Sequence, residues 1–301
     1  LKAFWPLPLP ANRPSFGCAA GPLPPLAPSG AAKTSAMDRN GSLKTHATGA
    51  SHVTEIIATR RSAVRHALMR EKLLAEFVGT FFLVLTVGIS VVGGGAMAAV
   101  AIGLVLGIEI YTFGAVSGGF FNPAVTLAVL LSGRGKISKS HAAGYVAAQF
   151  LGGFVAGFCA FAASGGTFCF DYTLSRGAGT SLVLETLFTM ALCSTVLAAG
   201  TSNDAPNQYF GFAIGMTVTG GAIASGGFDQ GSFNPAVTFG INVANYANSN
   251  AAHSPSAGAW ALFLLAPLLG AVLAAAAFLG TRGNEYSPTH HVAEAPKADL
   301  P

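Results

Sequence analysis

The sequence predicts an all-α membrane protein: six transmembrane helices and two re-entrant half-helices, arranged as an inverted repeat. Three observations predict it. Charged residues make up 9% of the 301 residues and hydrophobic ones 51%, against about 25% charged in an ordinary soluble domain. Six apolar runs approach the roughly 20 residues that a helix needs to cross a hydrocarbon core. The pentapeptide Asn-Pro-Ala-Val-Thr occurs at 122–126 and again at 234–238, once in each half of the chain.

From the N-terminus, residues 1–70 read as a disordered tail. Residues 1–32 are rich in proline and 33–70 are polar and basic, so neither stretch buries enough apolar surface to fold alone. The sequence opens without methionine, and prolines at 6, 8 and 10 interrupt the apolar run of a signal peptide, so Met37 is the expected start. Over 55–72, Ile57, Val64 and Leu68 share a helical face with Arg60, Arg61 and Arg65 outside it. That suits a helix on an anionic membrane surface, and a solvated basic linker fits the same residues. The spans follow at 73–92, 96–116, 142–163, 181–200, 209–225 and 257–280, the fifth being short. They define a membrane domain over 73–280, with repeat one at 73–165 and repeat two at 180–280, and leave 281–301 as a second tail.

Orientation follows from the basic residues. Arg60, Arg61, Arg65, Arg70 and Lys72 precede the first span, and Arg134, Lys136 and Lys139 separate the second from the third, whereas the alternate loops hold Arg176 alone. Both termini are therefore expected in the cytoplasm. The net charge of +4 is a topology signal, and no nucleic-acid binding is expected. Cys18, Cys159, Cys169 and Cys193 lack metal-ligand spacing, so neither metal nor cofactor is expected.

Each half opens on a span in which a glutamate is followed four residues later by a threonine, Glu76 with Thr80 and Glu185 with Thr189. Each then adds a second span, a glycine-rich turn and Asn-Pro-Ala. Three full spans per half is an odd number, so the halves enter from opposite faces of the bilayer, as in inverted-repeat transport proteins. Asparagine is a favoured helix N-cap and proline a favoured first helical residue, so Asn122, Pro123, Ala124 and Asn234, Pro235, Ala236 each start a helix. From 122 to 132 such a helix covers only about 15 Å at 1.5 Å per residue. Two of them, oppositely directed, complete one pseudo-span by meeting at the midplane.

Irregular backbone at that depth is tolerable only where it is buried in protein or lines a wet cavity. Gly118-Gly119 and Gly226-Gly227 with Gly231 let the chain run extended into each turn, with carbonyls open to a permeant molecule. Each asparagine can cap with its side-chain oxygen and offer its NH₂ group to a pore. The two helix N-termini raise a barrier to hydronium and other cations.

The paired motifs, the repeated glutamates and the six spans resemble the aquaporins, or major intrinsic proteins, over about 73–280; the stretch 117–128 is most similar to the plant vacuolar (tonoplast) branch. The resemblance implies a right-handed bundle, a homotetramer with one pore per subunit, and passive flow of water and small neutral solutes through a channel that is not an enzyme. It also implies a selectivity filter, which counting from the motifs places at Ile102, Ala222, Gly231 and Val237. Family members usually carry arginine directly after the second motif, and here that residue is Val237. An uncharged filter of small and aliphatic groups implies passage of glycerol- or urea-sized solutes beside water; a water-selective channel with little solute flux is the alternative. Neither subgroup pattern is complete: Thr238 stands where glycerol facilitators usually have aspartate, and Phe263-Leu264 where strict water channels usually have an aromatic pair. The membrane is vacuolar, intracellular or plasma.

Glu76 and Glu185 are expected to accept hydrogen bonds from the re-entrant loops, whose backbone lacks partners of its own. Glu109 has no counterpart in that pattern; it is expected to bond a neighbouring helix or face a partner subunit, with a pH gate as the other reading. Gly103 with Gly107 and Gly211 with Gly215 place small residues one turn apart for close helix packing. No cysteine flanks either motif, so mercurials are expected to inhibit poorly. A gated ion channel would carry charged rings or a carbonyl filter, and a cation-coupled small-solute transporter would need ionisable groups, which the three glutamates keep open. An intramembrane enzyme would need a nucleophile with a base, and no span pairs them.

Overall fold

Helices occupy the apolar runs, and each boundary has a local cause. The computed structural model describes residues 48–172, 176–203, 207–228 and 230–286, with 48–68 described as backbone only. The chain divides into two units, Leu1–Ile56 and Ile57–Pro301; of the first, only residues 48–56 are described, as helix, and all that follows concerns the second. Eight α-helices run in order: α1 (Thr48–Val92), α2 (Ala98–Ser117), α3 (Pro123–Leu131), α4 (Lys139–Ser164), α5 (Gly177–Thr195), α6 (Phe210–Ser225), α7 (Pro235–Ala247) and α8 (Ala257–Thr281). A π turn, Val196–Gly200, extends α5, and a 3₁₀ turn, Gly283–Tyr286, follows α8.

Two expectations change, and the fifth span is short, as expected. The helix expected over 55–72 is the beginning of α1 and not a separate element, because neither glycine nor proline interrupts 51–78. The fifth span, α6, has only 16 residues, about 24 Å, shorter than the roughly 30 Å hydrocarbon layer; five other helices are long and apolar enough to cross. Residues 283–286, placed in a tail, fold as the terminal turn. The Met37 start lies outside the described residues.

The half-helices begin as expected. Asn122 and Asn234 are N-caps in extended conformation, each side-chain oxygen accepting from the N–H two residues on, Ala124 at 2.8 Å and Ala236 at 2.9 Å. α3 has 9 residues and α7 has 13, so α7 reaches further into its half of the bundle.

Small residues set the helix approaches. α2 crosses α6 at the expected glycines: a Cβ on Gly107 would stand 3.0 Å from Gly211 O, and one on Gly103 or Gly215 would overlap the opposite backbone or the Thr219 hydroxyl. The sequence reading missed a second set. A Cβ on Gly152 of α4 would lie 2.5 Å from Phe77 O on α1, and its repeat-two counterpart on Gly270 of α8 would lie 2.5 Å from Thr186 O on α5. Gly157 on α4 and Gly240 on α7 also meet backbone to backbone. Inside α8, Pro267 cannot donate to Phe263 O, and the Thr238 hydroxyl of α7 lies 3.4 Å from that carbonyl.

Candidate functional site

The site is built where the tips of α3 and α7 meet. Asn122 Nδ2 donates to Phe233 O and Asn234 Nδ2 donates to Phe121 O, both at 2.9 Å. One hydrogen of each NH₂ group thus ties the tips together, and one remains. Phe121 and Phe233, directly before the motifs, hold φ of 48° and 53°, a conformation that non-glycine residues rarely adopt and that costs about 1–2 kcal/mol each. Both rings are buried, and the left-handed turn aims each phenylalanine carbonyl at the opposite asparagine.

Two carboxylates hold these turns. Glu76 Oε1 accepts from Ser117 Oγ at 2.6 Å and Phe120 N–H at 3.0 Å, and its Oε2 from Phe121 N–H at 2.7 Å and Gln149 Nε2 at 2.8 Å. In the second half Glu185 accepts from Ser232 N–H and, at 2.9 Å, from Phe233 N–H. Both glutamates are fully buried, and the loop amides beside them would otherwise be buried without acceptors. The paired threonines behave differently: Thr80 and Thr189 are buried, and neither hydroxyl has a hydrogen-bond partner among the described residues. Glu109 is likewise buried with Oε2 unpartnered, so the bond to a neighbouring helix expected for that oxygen is not made within the described chain.

Glycine conformation is needed at fewer positions than expected. Gly118, Gly119 and Gly231 take φ of 100°, 67° and 58°, whereas Gly226 stays helical at −57°. A Cβ on Gly231 would stand 2.6 Å from Ser225 Oγ and 2.8 Å from Phe233 Cζ, so both space and backbone exclude a side chain there.

Beside the tips lies a cavity of about 260 Å³ that Asn122, Asn234, Ile102, Ala222, Gly231 and Val237 all help to line. The structure therefore brings both motif asparagines and all four positions counted from the motifs to one space. Pro123, Ala124, Pro235 and Ala236 are buried behind it in the half-helices. None of the described residues lining the cavity is charged. A second cavity of about 570 Å³ shares Ile110, Gly119, Phe120, Val196 and Ile214 with the first and opens past Lys136, Thr201 and Ser202. The two cavities lie next to each other, with Val91, Ala98 and Gln230 lining the first and Lys136 lining the second.

Sequence reasoning missed several residues. Phe168 and Phe170, from the α4–α5 connection, line the first cavity. Their rings stack edge-to-face at 5.2 Å, and Asn242 of α7 grips the Phe170 backbone, accepting its N–H at 2.8 Å and donating to its C=O at 3.4 Å. Gln149, which braces Glu76, and Asn242 had a legible signal: each is an amide in an apolar helix, Gln149 alone in α4 and Asn242 with Asn245 in α7. The phenylalanines had none, because their loop carries no periodic pattern.

Outside the spans, burial, with the Asp171 carboxylate adding to it, pushes the Cys169 thiol up to about 11. Cys169 sits between the two cavity-lining phenylalanines and is itself buried.

The family model for the major intrinsic proteins (MIP) matches residues 63–278. The chain is 36% identical to "Glycerol uptake facilitator protein-like 6" of Lactiplantibacillus plantarum, over 68% of this chain and 94% of that one. It is 32% identical to "Aquaporin TIP1-2" of Zea mays, over 79% and 97%, and 34% identical to "Nodulin-26" of Glycine max, over 68% and 75%. Among solved structures, the aquaglyceroporin from Plasmodium falciparum superposes with a TM-score of 0.62 at 18% identity, covering 70% of this chain and 95% of that one, which shows a shared fold. The chain thus belongs to the major intrinsic protein family of passive membrane channels.

Proposed function

We propose that the chain conducts water together with small neutral solutes of glycerol and urea size, and that it excludes ions and protons at the paired Asn-Pro-Ala tips. One observation carries the solute range: Val237, with Ile102, Ala222 and Gly231, walls the cavity beside Asn234 without any charged side chain. A wall of aliphatic and small groups leaves room for a carbon skeleton, and Asn122 and Asn234 each keep one hydrogen for the solute's oxygens. α3 and α7 end on this spot with their N-termini, each equivalent to about half a positive charge, which opposes cations. That a relative is named a glycerol uptake facilitator agrees with this range.

Ile102, Ala222, Gly231 and Val237 are proposed as the selectivity filter, and Glu76 and Glu185 as the groups that fix the loops. The working unit is proposed to be a homotetramer in a lipid bilayer with both termini cytoplasmic, in a vacuolar, other intracellular or plasma membrane. Stopped-flow light scattering on proteoliposomes holding the purified chain tests the reading. Rapid shrinkage in sucrose, and re-swelling in glycerol and in urea, are expected. Fast shrinkage without re-swelling would make it a water-selective channel. Flux that saturates or needs a cation gradient would make it a coupled transporter.

A further inference from the structure

With Val237 in place of a charged side chain, the Gln230 mouth needs another donor for a solute that sheds its water there. Among the described residues that line the first cavity, those with polar side chains are Asn122, Gln230, Ser232 and Asn234. The Ser232 hydroxyl is engaged, donating to Asn234 O at 3.0 Å and accepting from Thr238 Oγ1 at 2.7 Å. The asparagines sit at the joined tips, each with its oxygen and one hydrogen engaged. Gln230 remains. Its Oε1 accepts the Asp171 N–H at 3.1 Å, so the amide's acceptor end is fixed and its NH₂ end has no partner among the described residues.

The frame behind that bond is firm. The Asp171 carboxylate accepts from Ser256 N–H at 3.1 Å, Ser256 Oγ at 3.3 Å and its own neighbour Tyr172 N–H at 2.8 Å, and Ser256 is the N-cap of α8. Asp171 is thus tied to the start of α8 and, through its N–H, sets which way round the Gln230 amide stands. We infer that Gln230 is a specificity-determining residue: its NH₂ group donates to the hydroxyl or carbonyl oxygen of a small neutral solute entering past Phe168 and Phe170. The inference rests on the solute range proposed above. An amide supplies the donor without a charge, so it serves a polyol or urea without the width cost of a guanidinium beside Gly231.

Two variants separate donation from scaffolding. Gln230→Met removes both ends of the amide. Gln230→Glu, assayed at pH 8 where an exposed carboxylate is ionised, keeps an oxygen for the Asp171 N–H and loses the donor. Both should lower glycerol and urea permeability about three- to ten-fold, the equivalent of one lost hydrogen bond, while water, which keeps hydrogen bonds to its file neighbours, changes less than about two-fold. Solute flux that falls in Gln230→Met but not in Gln230→Glu would mean that Gln230 only braces Asp171, and would overturn the inference. Unchanged solute flux in both, or water and solute lost in equal proportion, would overturn it too. Absence of glycerol and urea flux in the unsubstituted protein would instead overturn the solute range on which it rests.

Discussion

At the scale of single residues, the proposed filter turns on Val237, which lines the cavity beside Asn234. It is buried, 3% exposed, at the start of a half-helix whose backbone is pinned by Glu185 and by the Asn234 cap. Val237→Arg would put a long cationic side chain into a space lined by Ile102, Ala222 and Gly231. We expect glycerol permeability to fall about tenfold, the equivalent of ~1.4 kcal/mol on the barrier, with water permeability largely kept, as read by stopped-flow on proteoliposomes. An unchanged glycerol-to-water ratio would place the constriction elsewhere. Cys169 is a second case. The thiolate is the reactive form, and burial beside Asp171 raises the thiol to about 11. At pH 7.5 the group is almost wholly neutral, so maleimide labelling and mercurial inhibition should be slow, and labelling should quicken as pH rises toward 11. Fast labelling of Cys169 at pH 7, read by mass spectrometry, would contradict that environment.

At the scale of elements, the motif-bearing turns were legible because their chemistry is local. Asparagine favours the N-cap and proline the first helical position, and a glutamate in an apolar span announces an unmet need for hydrogen bonds. The conformation of Phe121 and Phe233 was not legible, because nothing in a phenylalanine favours φ near +50°; the cross-bonds to the asparagines of the other half impose it. The α2–α6 glycines could be read from their spacing, but Gly152 and Gly270 could not, since each answers to a carbonyl on a helix remote in sequence. The α4–α7 contact offers a clean test. A Cβ on Gly157 would overlap Gly240 O, which is backbone and cannot turn aside, so Gly157→Ala must push the two helices apart and should cost about 1–3 kcal/mol. Gly220→Ala, on α6 with nothing within 4 Å of the new atom, should instead be neutral or stabilise by up to about 1 kcal/mol. Thermal unfolding in detergent of both variants against the parent measures the contrast, and equal shifts would deny that backbone contact sets this spacing.

At the scale of the whole molecule, the chain's last described turn is tied to the end of α3 and to Thr201, which lines the second cavity. Arg134, just beyond α3, donates to Glu285 Oε2 at 3.1 Å, to Thr201 O at 3.1 Å, to Thr201 Oγ1 at 2.6 Å and to Ser132 Oγ at 3.2 Å, and its guanidinium lies 4.3 Å above the Phe278 ring. Glu285 Oε1 accepts the Asn203 N–H at 2.6 Å, and Tyr286 OH donates to Ser132 O at 2.7 Å. One ion pair therefore joins the end of α3, the α5–α6 connection and the segment after α8, with the two side chains only 3% and 0% exposed. Removing one partner leaves the other charge buried without compensation, at a cost of about 3–5 kcal/mol. Removing both should cost less than the two single losses combined, because the stranded charge disappears with its partner. Glu285→Ala, Arg134→Ala and the double variant, melted in the same detergent, give the cycle. Amide exchange at Asn203 should also rise in Glu285→Ala, since its acceptor is gone, while exchange at Phe121, held by Glu76 in the bundle centre, should not. Strict additivity with unchanged exchange at Asn203 would mean that this end of the protein is held by its apolar contacts alone, and that the last described turn adds nothing to it.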